Sequence, residues 1–156
     1  CWLVNEILPK VREFIPNVKL TLVGSNPTEQ VRALAASGVQ VLGYVDDATL
    51  KSLYKLARVV IAPLRFGAGV KLKVLEAMQQ GTPLVTTTVG AQGLPGLDLA
   101  IPVSDEPEKL KDALVDIILH DNAWQKYSIT GQGFILEHFS VKTMNLALRA
   151  AVGLTA

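Results

Sequence analysis

The sequence predicts a doubly wound α/β domain, in which a parallel sheet of about five strands carries helices on both faces. Three observations predict it. Short runs rich in Val, Ile and Leu alternate with longer segments of helical period, caps stand where the runs give way to helices, and 156 residues suffice for one sizeable core. Residues 18–23 read as the first strand, turned by Gly24-Ser25, and Asn26-Pro27-Thr28-Glu29 opens a helix with a capping-box-like spacing and Pro at its first position. That helix runs to Ser37 and stops at Gly38. Residues 39–42 form the second strand, ending at Gly43-Tyr44-Val45, and Asp46-Asp47 caps the helix that follows through Ala57. Residues 59–62 are the third strand, closed by Pro63. A helix over 70–80 puts Val70, Val74, Ala77 and Met78 on one face and ends at Gly81, with Pro83 beyond it. Strands at 84–89 and 99–103 flank a glycine-rich loop at 90–96. Either Ser104 or Asp105 caps a helix through Leu119, and two helical stretches, 122–138 and 140–152, finish the chain.

Composition excludes several function classes. With 49% apolar and 19% charged residues the chain is an ordinary globular sequence, and no apolar run approaches the roughly 18 residues that would span a bilayer. The single Cys1 cannot form an internal disulfide, and His120 and His138 are too scattered to supply metal-ligand spacing. His120 reads as a helix-end residue, His138 as packing, and the setting as reducing and cytoplasmic. Net charge of +1 gives no global reason to expect nucleic acid. The distribution is less even: residues 48–75 hold six basic residues and no acid, whereas 98–121 hold seven acids against Lys109 and Lys111.

In doubly wound sheets ligands bind beyond the carboxyl ends of the strands, so the strand-to-helix loops are where function should sit. The helix after Pro63 stands apart from the others because it opens through Gly67-Ala68-Gly69, which offers no side-chain oxygen to the first-turn N–H groups. Arg65 precedes this opening, and Lys71 and Lys73 lie just inside it, where the helix dipole disfavours cations. A phosphate or diphosphate would satisfy both the orphan donors and the three cations. Glu76, six residues after Val70 and about 9 Å further along the helix, could accept hydrogen bonds from a ribose. The same residues also read as a plain turn followed by a Lys73–Glu76 surface pair.

Residues 63–96, P-L-R-F-G-A-G-V-K-L-K-V-L-E-A-M-Q-Q-G-T-P-L-V-T-T-T-V-G-A-Q-G-L-P-G, resemble the donor-binding segment of the GT-B glycosyltransferases of group 1, the family 4 class. The similarity extends loosely upstream through 20–27 and 42–54 and downstream to Phe139. The resemblance implies a Rossmann-like domain, the C-terminal half of a GT-B enzyme. By position it directs the backbone of Gly67, Ala68, Gly69 and Val70, with Arg65, Lys71 and Lys73, to a donor diphosphate, and Glu76 to its ribose. It directs Gly43, Tyr44 and Val45 to the nucleobase, and Thr88 with Gly90, Ala91, Gln92, Gly93 and Leu94 to the donor sugar or its phosphates. It implies metal-independent chemistry without a cofactor, a nucleoside-diphosphate sugar as donor, transfer with retention, and an N-terminal acceptor-binding domain as partner. It also implies peripheral association with the inner face of a membrane through the full enzyme.

Two departures stand out. The place eight before Glu76, a glutamate in many relatives, is Ala68. The family's first strand and its G-R…K-G element have no counterpart, since the chain opens inside what reads as the next helix. Residues 1–156 are therefore expected to be one nucleotide-sugar-binding domain cut from a two-domain enzyme, inactive alone, with strand edges left open by the absent central strand. A nucleotide-sugar epimerase of the same fold and a non-catalytic nucleotide-binding module are the alternatives; the epimerase needs acid/base carboxylates or His in the cleft, and none is well placed.

Overall fold

The computed structural model describes residues 1–141, 143, 145, 148 and 149, so most of the expected last helix, 140–152, lies outside the described residues. The chain opens on a π-helical turn, Leu3–Ile7, that runs into α1, Leu8–Phe14. Then come β1 (Leu20–Val23), α2 (Glu29–Ala33) continued by a 3-10 turn at Leu34–Ser37, β2 (Val39–Gly43), α3 (Asp47–Leu56), β3 (Val60–Ala62) and α4 (Leu72–Gln79). The remainder is β4 (Leu84–Thr86), α5 (Leu97–Ala100), α6 (Pro107–Leu119) and α7 (Asp121–Phe139). No helix among the described residues is long and apolar enough to cross a membrane.

All strand pairs are parallel, as the strand-then-helix order requires. The sheet is split, in keeping with the open strand edges expected: β1 pairs with β2, β3 pairs with β4, and among the described residues no ladder joins the two pairs. The order expected for this topology puts a further strand between them, and none of the described residues fills that place. The expected strand at 99–103 is also not formed. Gly96 adopts φ 79° and starts the single turn α5, held by Ile101 N–H donating to Leu97 O at 3.0 Å. Leu97 is buried and Leu99 exposed, whereas residues two apart in a strand would share a face, so this stretch is a turn and not a strand. Only Val103 reaches the sheet, bridging to Thr86.

Two caps differ from expectation. Thr28, not Asn26, caps α2, its hydroxyl accepting from Val31 N–H at 3.4 Å, while Asn26 sits in the left-handed region at φ 49°. Neither Ser104 nor Asp105 caps α6, whose boundary residue is Glu106; Asp105 is engaged elsewhere. Asp46 caps α3 as expected, accepting from Thr49 N–H at 2.7 Å.

β4 is buried on both faces, the mark of a sheet covered by helices above and below. Leu84 packs into a cluster with Val74, Ala77 and Met78 of α4, Leu97, Ile101, and Phe134 of α7. Val85 packs into a second cluster with Leu3, Ile7 and Val11 on one side and Leu110, Leu114 and Ile117 of α6 on the other. The β1–β2 pair is covered on one face only: Leu20, Leu22, Val39 and Val41 lie against Val4 and Leu8, whereas Thr21, Val23, Gln40 and Leu42 face outward. His138 packs on Phe134, ring centroids 4.4 Å apart.

Candidate functional site

The helix α4 begins without a side-chain cap, as its sequence requires. Its boundary residue is Lys71, and no side chain accepts from the first turn. Among the described residues, none of the backbone N–H groups from Gly67 to Lys73 donates to a protein acceptor. Gly67 and Gly69 take φ 124° and 72°, conformations that a Cβ would strain, so the loop needs these glycines to turn as it does. The result is a run of bare donors at the positive end of a helix dipole.

Lys71 folds back over this loop. Its Nζ donates to Ala68 O at 2.9 Å and Gly69 O at 2.6 Å. In a trans peptide the C=O and the following N–H point in opposite directions. Holding those two carbonyls on one side therefore turns the Gly69 and Val70 N–H groups to the other, so Lys71 shapes the donor array as well as charging it. Lys73 is exposed. Neither lysine, nor Arg65, has a carboxylate within ion-pair distance among the described residues. Lys73 does not pair with Glu76, which removes the plain surface-pair reading.

Glu76 is half-buried, and its Oε2 accepts from the Tyr54 hydroxyl at 3.3 Å. Burial first, then the Glu76 charge and this hydrogen bond, push the Tyr54 phenol up to about 12.

The 88–94 loop closes against the α4 entrance. Gly93, at φ 80°, lies so near Val70 that a Cβ would stand 2.9 Å from Val70 Cγ2 and 3.8 Å from its backbone nitrogen. Ala91, Gly93 and Leu94 belong to successive turns, with Ala91 N–H donating to Thr87 O and Leu94 N–H to Ala91 O; Gly90 is buried and Gln92 exposed. Thr88 is tied to Asp105, which accepts from its N–H at 3.0 Å and its hydroxyl at 2.6 Å. These bonds fix the loop's start and commit the Thr88 side chain, which was expected near the donor. Thr86 and Thr87, read from sequence as strand formers, donate to Ala62 O and Leu64 O and lock the carboxyl ends of β3 and β4 together.

Arg65 goes elsewhere than the sequence suggests. Its guanidinium lies over the Trp2 ring, 5.4 Å from the centroid, and lines a cleft of about 330 Å³ with Glu6, Leu64, Thr87, Val89, Asp105 and Pro107. No residue from Gly67 to Lys73 lines that cleft. Gly43 lines a second cleft, of about 210 Å³, with Gly24, Ser25 and Pro27 at the carboxyl ends of β1 and β2. Tyr44 beside it is 76% exposed and Val45 half-buried. The structure thus brings the 90–94 loop against the α4 entrance through Gly93 and Val70, keeps Glu76 one turn along α4 against Tyr54, and holds Arg65 and Gly43 in separate clefts, with Tyr44 and Val45 lining neither.

Comparison with known proteins decides the family. Residues 1–120 match the family described as Glycosyl transferases group 1. The chain belongs to that family. Among its relatives, the phosphatidyl-myo-inositol mannosyltransferase of Mycobacterium leprae (strain TN) is 33% identical over 135 residues, covering 81% of this chain and 35% of its own length. That of Mycobacterium tuberculosis (strain ATCC 25618 / H37Rv) is 29% identical over 140 residues, covering 83% of this chain and 37% of its own. The chain therefore spans about a third of the length of these group 1 relatives. A Staphylococcus aureus TarM mutant in complex with fondaparinux, α-GlcNAc-glycerol and UDP superposes with a TM-score of 0.77 at 15% identity, over 99% of this chain and 32% of TarM. HepE of Anabaena in complex with UDP does so with a TM-score of 0.74 at 18% identity, over 96% of this chain and 44% of HepE. These likenesses establish the fold: the two parallel strand pairs and their helices match part of a GT-B structure.

Sequence reading missed two side chains at this site, Tyr54 and Asp105. Each acts across more than fifteen residues of sequence, Tyr54 on Glu76 and Asp105 on Thr88. No local spacing announces such pairs.

Proposed function

We propose that the chain is the donor-binding part of an enzyme that transfers a sugar from a nucleoside-diphosphate sugar to an acceptor held by a further domain, with retention. The observation that carries this reading is the run of N–H groups at the α4 entrance that have no acceptor among the described residues, with Lys71 and Lys73 beside it lacking any carboxylate partner among them. A diphosphate seated there meets several amide donors, the helix dipole and two positive charges. As the glycosyl bond breaks, negative charge grows on the leaving phosphate oxygen, and donors already aimed at it stabilise the transition state more than the ground state. In this reading no metal ion or cofactor is required, because amides and lysines carry the neutralising charge. Glu76 accepts from the ribose hydroxyls, Gly43–Val45 meet the base, and the 90–94 loop packed on Val70 borders the sugar. Arg65 serves the diphosphate only by leaving the Trp2 ring, so it belongs at the rim of the seat. The UDP held by the TarM and HepE neighbours and the mannosyl transfer named for the mycobacterial relatives support this reading. The lipid acceptor named for those relatives also supports peripheral attachment to a membrane surface.

Calorimetric titration with UDP, GDP and ADP tests the proposal. One of the three is expected to bind, and Lys71→Ala, Lys73→Ala or Glu76→Ala to weaken it about tenfold each, the scale of one charge-assisted hydrogen bond. Absence of binding by all three nucleotides, or full binding by all three variants, overturns it.

A further inference from the structure

We propose that Tyr54 is a positioning residue that aims the Glu76 carboxylate at the ribose of the donor; this rests on the reading of Glu76 given above. Three observations carry it. The Tyr54 hydroxyl donates to Glu76 Oε2 at 3.3 Å, and Oε1 has no protein partner among the described residues. At 3.3 Å the contact is weaker than an O–H···O bond at the optimum of about 2.7–2.8 Å, and it engages one of the two carboxylate oxygens, leaving acceptor capacity for a ligand. Second, Tyr54 is itself fixed: its ring packs on the cluster that contains Val74, Ala77 and Met78, and its carbonyl accepts from the hydroxyl of the buried Thr82 at 2.7 Å. Third, the nearest cation by sequence spacing, Lys73, does not hold Glu76. Without the phenol the carboxylate would turn about its own torsions and present both oxygens to water.

The division of labour is chemical. A ribose offers two neighbouring hydroxyl donors, and a carboxylate accepts both only if its plane is set before the ligand arrives. A phenol is suited to that task because it donates one hydrogen bond and brings no charge of its own to the site. The raised phenol keeps its proton throughout the range in which an enzyme works. The ring packing also explains why a tyrosine rather than a serine stands here: a short hydroxyl on α3 would not span the distance to α4.

The test is a comparison of ligands that differ only in the ribose. In the unaltered protein, the nucleoside diphosphate found to bind is titrated beside its 2′,3′-dideoxy form and inorganic pyrophosphate. Tyr54→Phe, which keeps the ring and the backbone carbonyl, is expected to weaken the ribonucleotide about fivefold and to leave the dideoxy form and pyrophosphate unchanged. In a Glu76→Gln background the same change is expected to have no further effect on the ribonucleotide. Equal weakening of all three ligands in Tyr54→Phe would mean a merely structural role and overturns the proposal, as does an unchanged ribonucleotide affinity. If Tyr54→Phe lowers the thermal midpoint, Tyr54→Trp, which also keeps a donor, is expected to restore discrimination between ribose and dideoxyribose; failure to restore it overturns the proposal. The two readings fail separately: an unaltered protein that binds none of the ligands removes the donor-site reading itself, and a Glu76→Ala variant with full ribonucleotide affinity removes the assignment of Glu76 to the ribose, and this proposal with it. A weakened Glu76→Ala with a silent Tyr54→Phe removes only this one.

Discussion

At the scale of single residues, the side chains around α4 divide into those that make the seat and those that hold it open. Gly67 and Gly69 permit the turn, Lys71 ties the carbonyls of 68 and 69 back, and Gly93 lets the neighbouring loop lie against Val70. Gly93→Ala tests that close approach. A Cβ at φ 80° costs roughly 1–2 kcal/mol, and its 2.9 Å distance to Val70 Cγ2 must also be relieved. We expect a lower thermal midpoint together with weakened nucleotide binding, because relief moves Val70 and its amide; a lowered midpoint with unaltered binding would show that the two loops are independent. Much of this site is legible in sequence because it is a local property: a helix that starts on Gly-Ala-Gly has no cap, whatever surrounds it. Tyr54 on Glu76 and Arg65 on Trp2 are not, since each partner lies on a different element and only packing joins them.

At the scale of elements, periodicity and caps located most helices, and the exceptions have physical causes. Residues 99–103 are a short apolar run that reads as a buried strand, but Gly96 in the left-handed region and Pro102, which lacks an N–H, leave a turn and a single bridge. β4 stops at Thr86 rather than 89 because Thr87 and Thr88 turn their polar groups to Leu64 and Asp105. Asp46 at the start of α3 makes a pH-dependent contribution. Its side-chain and backbone hydrogen bonds with Thr49 hold its carboxyl below the usual aspartate value of 3.8. A lowered folded-state pKa stabilises above the unfolded value, and the gain disappears as pH falls through the folded one. Asp46→Asn, which keeps an accepting oxygen, should therefore fall behind the unaltered protein above about pH 5 in thermal melts, and the gap should close as pH falls below the usual aspartate value. A midpoint difference that does not vary with pH would contradict this.

At the scale of the whole molecule, the split sheet agrees with the open strand edges that the absent central strand led us to expect. Four of the five expected strands form, but whether neighbours pair depends on the full set of strands, and among the described residues no ladder joins the β1–β2 pair to the β3–β4 pair. Open parallel edges cost stability because their N–H and C=O groups lack regular partners. A version extended on its N-terminal side by one more strand is expected to melt at a higher denaturant midpoint than residues 1–156, and equal midpoints would count against this. The helices that cover β4 on both faces survive the split, which is why the α4 entrance keeps its geometry. The amide seat itself is tested most directly by amide proton–nitrogen correlation spectra recorded while UDP, GDP or ADP is titrated into the protein. The structure predicts that the N–H signals of Gly67, Ala68, Gly69, Val70, Lys71, Leu72 and Lys73 shift first and most as nucleotide is added. Signals that stay still there while those around the Arg65 and Trp2 cleft move would contradict it.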